Sequence, residues 1–506
     1  MKFKDIFTLI LIFPFLAVAC STVFSLTNTN GNTTIQSEDI PTVESGELDS
    51  NMQQPLDSEP PQGPPRSEDG QVPKEEPPDS TPMGIEEGVP GGNGSFSVEK
   101  GLATATGSVV IDGETERIAD EIIKADEEDQ SAVYAINGAD VSLENVTIIT
   151  TGDSTSNDKS SFYGLNAGVL AASGSVVHMS GGSIGTSGRD ANGAFASGEN
   201  SLVNLSDMTI NATGGGAHGV MATLGGEMIL TNVNINTSGR SSAPIATDRG
   251  SGTIKVFGGT VNTAGEGSPC YYSTGVIDVQ DAICLSSGSQ SVVIEGSNAV
   301  NVVDSQLTST KEEKNGIMIY QSFSGDAQGS EGVFNMTGGS LSHTATTGPL
   351  FFITNATAYI TLQNVDMNIV SGELLLASAT DRWGKEGENG GTVYLTSDGQ
   401  SLTGDIRADA ISRVHVTLKN KSTLIGMIND DQQADSVRIM LDELSTWYLT
   451  GDSYISCVAD EEGIAGDTIK NIIGNGYNVY YDGSSCSDLG NKTYTLINEG
   501  ELLPME

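Results

Sequence analysis

The chain has 506 residues, with 66 acidic against 23 basic side chains, a net charge of -43, and 62 glycines against 13 phenylalanines and 13 tyrosines. So acidic a body disfavours nucleic acid and anionic membrane surfaces as partners of its folded part. With few aromatic residues, its core has to be built from small and aliphatic side chains in regular layers.

Residues 1–20 read as an export signal: Lys2 and Lys4, an apolar run over 6–16, then Ala17-Val18-Ala19-Cys20. This arrangement resembles a bacterial lipoprotein signal. The resemblance implies that Cys20 receives a diacylglyceryl group and becomes the mature N-terminus, which anchors the protein to a membrane. Ser21 would then permit outer-membrane sorting in a diderm cell. Ala17-Val18-Ala19 also fits an ordinary signal peptidase site. Of the five cysteines, lipidating Cys20 leaves an even four: Cys270, Cys284, Cys457 and Cys486. In an exported chain their two local pairs point to bridges Cys270–Cys284 and Cys457–Cys486, although four cysteines allow three connectivities and free buried thiols are the alternative.

Residues 21–97 carry 11 of the 16 prolines among many Glu, Asp, Ser and Gln, with no periodic apolar pattern. Such a segment cannot bury enough apolar surface to offset the entropy of ordering, so a disordered, extended, acidic tether is expected. Over 98–130 a strand-like lead is followed by an acidic stretch containing Ile118, Ile122 and Ile123. This is either a short capping helix or the first coil of the folded body.

From 131 to 370 one phrase recurs: an apolar residue, a free position, a turn-forming pair, a small polar residue and another apolar residue. It stands at 143–148 (LENVTI), 179–184 (MSGGSI), 205–210 (LSDMTI), 230–235 (LTNVNI), 256–261 (VFGGTV), 302–307 (VVDSQL), 336–341 (MTGGSL) and 362–367 (LQNVDM), in steps of 36, 26, 25, 26, 46, 34 and 26 residues. A base period near 25 marks a solenoid whose units bury their apolar faces only by stacking. The runs are short, alternating and bounded by Gly, Asn, Asp or Ser, and none suits a helix. Each period is therefore read as one coil of a right-handed parallel β-helix, an all-β fold, with three steps lengthened by insertions. Over 371–506 the phrase fades, but strand-like runs at 392–395, 413–418, 436–441 and 447–449 continue as irregular coils. Residues 477–481 and 492–497 read as closing strands of a C-terminal cap.

The segments at 160–171 (SSFYGLNAGVLA), 242–254 (SAPIATDRGSGTI), 316–327 (GIMIYQSFSGDA), 381–395 (DRWGKEGENGGTVYL), 445–456 (STWYLTGDSYIS) and 472–485 (IIGNGYNVYYDGSS) resemble those of large exported right-handed β-helix proteins of bacteria and archaea, described as adhesin-like. The resemblance covers roughly 100–506. It implies a pectin-lyase-like superhelix at the cell surface, a fold that carries lyases, hydrolases and passive stalks alike.

Enzymes on such a fold need clustered acids, and acids facing one groove would recur at the coil period. Asp190 and Glu227 do not, nor do Asp248 and Glu266. What recurs is Thr-Ser-Gly-Arg at 186–189 and 237–240, which places Arg189 and Arg240 on one corner, with Asp190 and Asp248-Arg249 expected nearby. His178, His218, His343 and His415 share no metal-binding spacing and fall in strand-like runs, as wall residues would. The loop 381–389 sets Trp383 among Asp381, Arg382 and Glu386, a combination suited to carbohydrate: an aromatic face for C–H groups and charged groups for hydroxyls. Asp381, Glu386, Glu388 and Asn389 could also hold Ca²⁺, the one cofactor considered. The sequence thus points to a surface interaction or structural protein with an extracellular polysaccharide or surface protein as partner. A polysaccharide lyase or glycoside hydrolase is the alternative.

Overall fold

The computed structural model describes residues 101–322, 327–460 and 462–505. The export signal, Cys20 and the linker to residue 97 lie outside them.

The chain winds through three parallel sheets in rotation. The first has twelve strands, from Thr106–Asp112 to Asp405–Ala408, the second fourteen, from Thr115–Ala119 to Cys457–Ala459, and the third ten, from Ile122–Ala125 to Asp366–Ile369. Neighbours within each sheet are one coil apart in sequence, and every pairing in these three sheets is parallel, which makes the fold a parallel β-helix. Alternate side chains point inward and stack in columns. Val133, Val169, Ala194, Val220 and Ile245 are in register on the first sheet, and Ile148, Ile184, Ile210, Ile235 and Val261 on the third. All are 1% exposed or less.

The recurring phrase is the corner between the second and third sheets. Its third residue sits in the left-handed region in every coil: Asn145 (φ 52°), Gly181 (66°), Asp207 (52°), Asn232 (53°), Gly258 (70°), Asp304 (46°), Gly338 (68°) and Asn364 (53°). Gly, Asn and Asp tolerate that conformation best, which is why the position is confined to them. The phrase's last apolar residue then enters the third-sheet core column.

Two features differ from the sequence reading, and a third decides between the alternatives it left open. The step of 46 is not an insertion but two coils, because 279–284 (VQDAIC) forms the same corner, with Asp281 at φ 56° and Cys284 in register between Val261 and Leu307. Cysteine in the final apolar position hid the repeat. The acidic stretch before residue 130 is no helix: strands Thr106–Asp112, Thr115–Ala119 and Ile122–Ala125 make a complete first coil with charged corners. A helix does occur, in the step of 36. Asn157–Tyr163 is capped by Ser156, whose side chain accepts from Lys159 N, and ends at Gly164 with φ 84°. Too short to show a helical period, it lies across the outer face of the first sheet. There Leu102 and Tyr163 help bury Tyr134, Leu170, Phe195 and Met221.

Toward the C-terminus a nine-stranded sheet, including Ser401–Thr403, Thr446–Tyr448 and Thr468–Ile473, takes over from the third. It closes with Tyr494–Ile497 antiparallel to Glu501–Met505. That reversal ends the parallel stacking, which would otherwise offer an unpaired edge. Trp447 fills the interior here, fully buried, its Nε1 donating to Gly426 O at 3.0 Å.

Candidate functional site

The two predicted cysteine pairs sit at disulfide distance, with Cα separations of 6.2 Å for Cys270–Cys284 and 4.9 Å for Cys457–Cys486. They fit an oxidising, extracytoplasmic compartment. Among the described residues no helix is long and apolar enough to cross a membrane.

Arg189 and Arg240 do share a corner. Asp190 N donates to Gly215 O, and Gly216 N to Arg240 O, so the two arginines stand two coils apart on one stack. Asp190 belongs to it, accepting from Asn157 Nδ2 at 2.8 Å. Asp248 and Arg249 do not. They follow the first-sheet strand Ile245–Thr247 rather than precede it, at the opposite margin of that sheet, where the Arg249 guanidinium lies 3.8 Å over the Phe162 ring. The helix Asn157–Tyr163 spans the distance between the two margins.

The loop 381–389 closes over the outer face of the first sheet. Asn389, 3% exposed, donates through Nδ2 to both Thr380 O and Trp383 O at 2.7 Å, drawing the loop's two ends together. Trp383 is half-buried, its ring 5.0 Å from that of Tyr320, with the Arg382 guanidinium 4.3 Å from its own centroid. Asp381, Arg382 and Glu386 are exposed. Glu388 is held by Lys385 at 2.5 Å. The side chains considered for Ca²⁺ do not converge, and among the described residues no group of three or more His, Cys, Asp or Glu is placed to hold a metal.

Beneath Trp383 lies a carboxylate that sequence reasoning missed. Glu295, 1% exposed, accepts from Tyr272 Oη at 2.5 Å, from Tyr320 Oη at 2.7 Å and from Ser322 Oγ. Burial, with the nearby Glu295 charge, pushes both tyrosine hydroxyls far above their ordinary range, so they stay protonated as donors. The signal in the sequence was the 25-residue step from Glu295 to Tyr320, neighbours on adjacent first-sheet strands. A second acidic cluster surrounds Arg407, whose Nε is 2.8 Å from Asp430 Oδ1 and whose Nη1 is 3.7 Å from Glu373 Oε1. Burial raises the Glu373 carboxyl, while the bond from Arg407 lowers Asp430.

The histidines divide. His218 and His343 are enclosed: His218 Nδ1 meets Ala243 O at 3.2 Å and is pushed down to about 4 by burial, and His343 Nδ1 meets Ser309 Oγ at 2.9 Å. His178 and His415 point outward from the second sheet. There His415 completes a stack, its ring 4.7 Å from Tyr394, which lies 5.1 Å from Tyr359, with interplanar angles of 8° and 9°. The three are in register on adjacent strands, and each has threonines beside it: Thr357 and Thr361, Thr392 and Thr396, then Thr417 with Arg413. Both tyrosines are 39% exposed. Steps of 35 and 21 residues concealed this stack from a search at the coil period.

Earlier coils continue the same flat face as an amide ladder. Asn301 donates to Asp278 and Asn335 to Asn301, each at 2.9 Å. Compared with known proteins, the chain matches no family model, no curated protein and no solved structure. Its chemistry has to be argued from these surfaces.

Proposed function

We propose that the protein is an exported, lipid-anchored surface solenoid of adhesin-like character, which binds extracellular polysaccharide along the outer face of its second sheet. One observation carries the reading: that face is a run of in-register parallel rungs that includes the strands at 357–361 and 392–396, where Tyr359 and Tyr394 are exposed between half-buried threonines, and that continues into Arg413–Lys419. The stacked rings turn their edges outward, so hydroxyls of Tyr and Thr stand in rows one strand spacing apart, about 4.8 Å. Rows of hydroxyls and amides suit an extended, hydroxyl-rich polymer, and a flat face offers no enclosed place for bond cleavage.

The competing reading, a polysaccharide lyase or hydrolase, would draw on Glu373, Asp405 and Asp430. Against it, Arg407 lies between Glu373 and Asp430 and compensates their charge instead of leaving a free acid and base. A glycan array probed with the full chain, with and without Ca²⁺, followed by product analysis on each bound polysaccharide, tests both. Binding without cleavage supports the surface-binding reading, and release of unsaturated or reducing products would replace it with the enzymatic one.

A further inference from the structure

The strand Ser453–Ile455 lies at one end of the nine-stranded sheet and pairs there only with Val479–Asp482. Tyr454 is therefore backed on one side, by Tyr480 at 4.8 Å and 10° between planes. On the other side no strand follows among the described residues; the Tyr454 N–H donates there to Ile428 O at 3.0 Å, and its carbonyl accepts from Asn429 Nδ2 at 3.1 Å. Tyr454 lines instead an open cavity of about 840 Å³, with Asn429, Gln432, Asp435, Asp482 and Asn491 among the other walls. The volume falls within the range of small-molecule sites, but the lining is mostly polar where such sites are usually apolar.

The wall groups are selective in what they leave open. Asp435 gives one oxygen to Arg413 at 2.5 Å, and its other oxygen has no hydrogen bond among the described residues. Asp482 is saturated by its own turn, accepting from Ser484 N at 2.8 Å, Ser484 Oγ at 2.7 Å and Ser485 Oγ at 2.5 Å. Those donors hold it at about 2, so it is ionised but internally compensated. The side-chain amide of Asn491 has no hydrogen bond among the described residues, and it lines the cavity together with Gln432. No Lys, Arg or His is among the lining residues. The Cys457–Cys486 bridge joins the strand after Ser456 to the segment that follows the Asp482 turn, and so ties two walls together.

We propose that this cavity is a second glycan site, which takes one neutral pyranose unit, its C–H face on the Tyr454 ring and its hydroxyls on Asp435 and Asn491. The proposal rests on the reading of the chain as a polysaccharide binder and names where a terminal or branching sugar is held. A uronate or phosphate would meet two carboxylates with no cation on the walls, since Arg413 stands behind Asp435 and is engaged by it. An amine would meet carboxylates already compensated by Arg413 and by the Ser484–Ser485 turn, which leaves uncharged hydroxyls as the best match.

Affinity electrophoresis of the full chain through gels containing galactomannan, mixed-linkage β-glucan or polygalacturonate tests it. The expected result is retardation by a neutral polymer. Tyr454→Ala should lose at least tenfold in apparent affinity, Tyr454→Trp should retain it, and Tyr394→Ala should leave a residual, Tyr454-dependent retardation. Melting profiles of the variants show whether Tyr454→Ala is folded, and Asp435→Asn, which keeps an acceptor in place, supplies a second variant expected to weaken binding. Unchanged retardation of folded Tyr454→Ala overturns the cavity site, and if Tyr394→Ala then abolishes it, the flat-face reading stands alone. Stronger retardation by polygalacturonate, or displacement of the neutral polymer by micromolar spermidine, overturns the proposal by assigning the cavity a charged ligand. If no polymer retards the chain, both readings fall together.

Discussion

Asp460 Oδ2 and Asn471 Oδ1 are buried acceptors turned toward the same point, and among the described residues neither has a donor. Asp460 is 2% exposed and Asn471 7%. A methyl group built at Gly463 would lie 2.1 Å from the Asn471 oxygen and 2.3 Å from the Asp460 oxygen. The pair is already joined once, by Asn471 Nδ2 donating to Asp460 Oδ1 at 3.1 Å. A proton on Asp460 would supply the missing donor, and burial raises its carboxyl from 3.8 to about 6.

That raised carboxyl fixes the sign of the pH effect. Above pH 6 Asp460 is ionised in both states, and the folded state alone bears the desolvation cost. Between about 6 and 4 only the folded state holds the proton, so this group's contribution to stability rises as pH falls through that window and is complete below it. The full displacement corresponds to about 3 kcal/mol at most. Asp460→Asn, which places an N–H₂ where the unpaired oxygen stands, should therefore stabilise the protein at pH 7.5. Its advantage over the parent should vanish near pH 4.5, as urea denaturation at the two pH values would show. Destabilisation at pH 7.5 would mean that the carboxylate is paired.

Gly152, Gly188, Gly214, Gly239, Gly265 and Gly288 form a column at the corner leading into the first sheet. A methyl group on Gly214 would lie 1.9 Å from Gly188 O, a backbone atom that the stacked coils hold in place. Its neighbour Gly215 meets nothing closer than Arg240 O at 3.9 Å. Gly214→Ala should cost about 3 kcal/mol or more, or abolish folding, whereas Gly215→Ala should stay within about 1 kcal/mol. Equal midpoints in chemical denaturation would contradict the close stacking.

These glycines also show how the fold was written in the sequence. Corner chemistry and inward alternation are local properties that repeat with each coil, so a search at one period finds them. Two kinds of feature escape it. Cys284, an unusual residue in a regular position, disguised one coil and fused two steps into 46. Loops inserted at uneven intervals broke the spacing of Tyr359, Tyr394 and His415, and the hydrogen bonds around Glu295 depend on outer-face neighbours from three strands. The loop at 381–389 was legible as an anomaly because its Trp stands among charges. What the sequence could not convey was that Tyr320 lies beneath that Trp.

Cys270 and Cys284 are 0% and 1% exposed, inside the coil stack, whereas Cys457 is only half-buried. Mild reductant on the folded protein should open Cys457–Cys486 first, so that alkylation and peptide mapping label that pair while Cys270 and Cys284 remain protected until unfolding. Replacing either pair by serine should lower stability by about 2–4 kcal/mol. Labelling of all four thiols before any reductant is added would rule the bridges out.

The proposed lipid anchoring assigns the attachment to Cys20. Cys20→Ala should release the protein from a carbonate-washed membrane fraction into the soluble or medium fraction, with the solenoid's melting profile unaltered. Retention of the variant after the wash would refute lipid attachment at this residue.

Trp383 and Trp447 are the chain's two tryptophans, so their fluorescence separates the loop from the core. Trp447 is sealed, and Trp383 is half-buried against Tyr320, its accessibility controlled by the two bonds from Asn389. Acrylamide should quench only part of the emission, and Trp383→Phe should remove that part. Asn389→Ala should enlarge the quenchable fraction at a stability cost of about 1–2 kcal/mol, because two carbonyls lose their donor and the loop ends part. A neutral polysaccharide that shields Trp383 from acrylamide in the parent would make this loop a glycan contact, as the residue types Asp381, Arg382 and Glu386 imply. Quenching that is insensitive to every polymer bound elsewhere would leave Trp383 as packing, a lid on Tyr320 that keeps Glu295 dry.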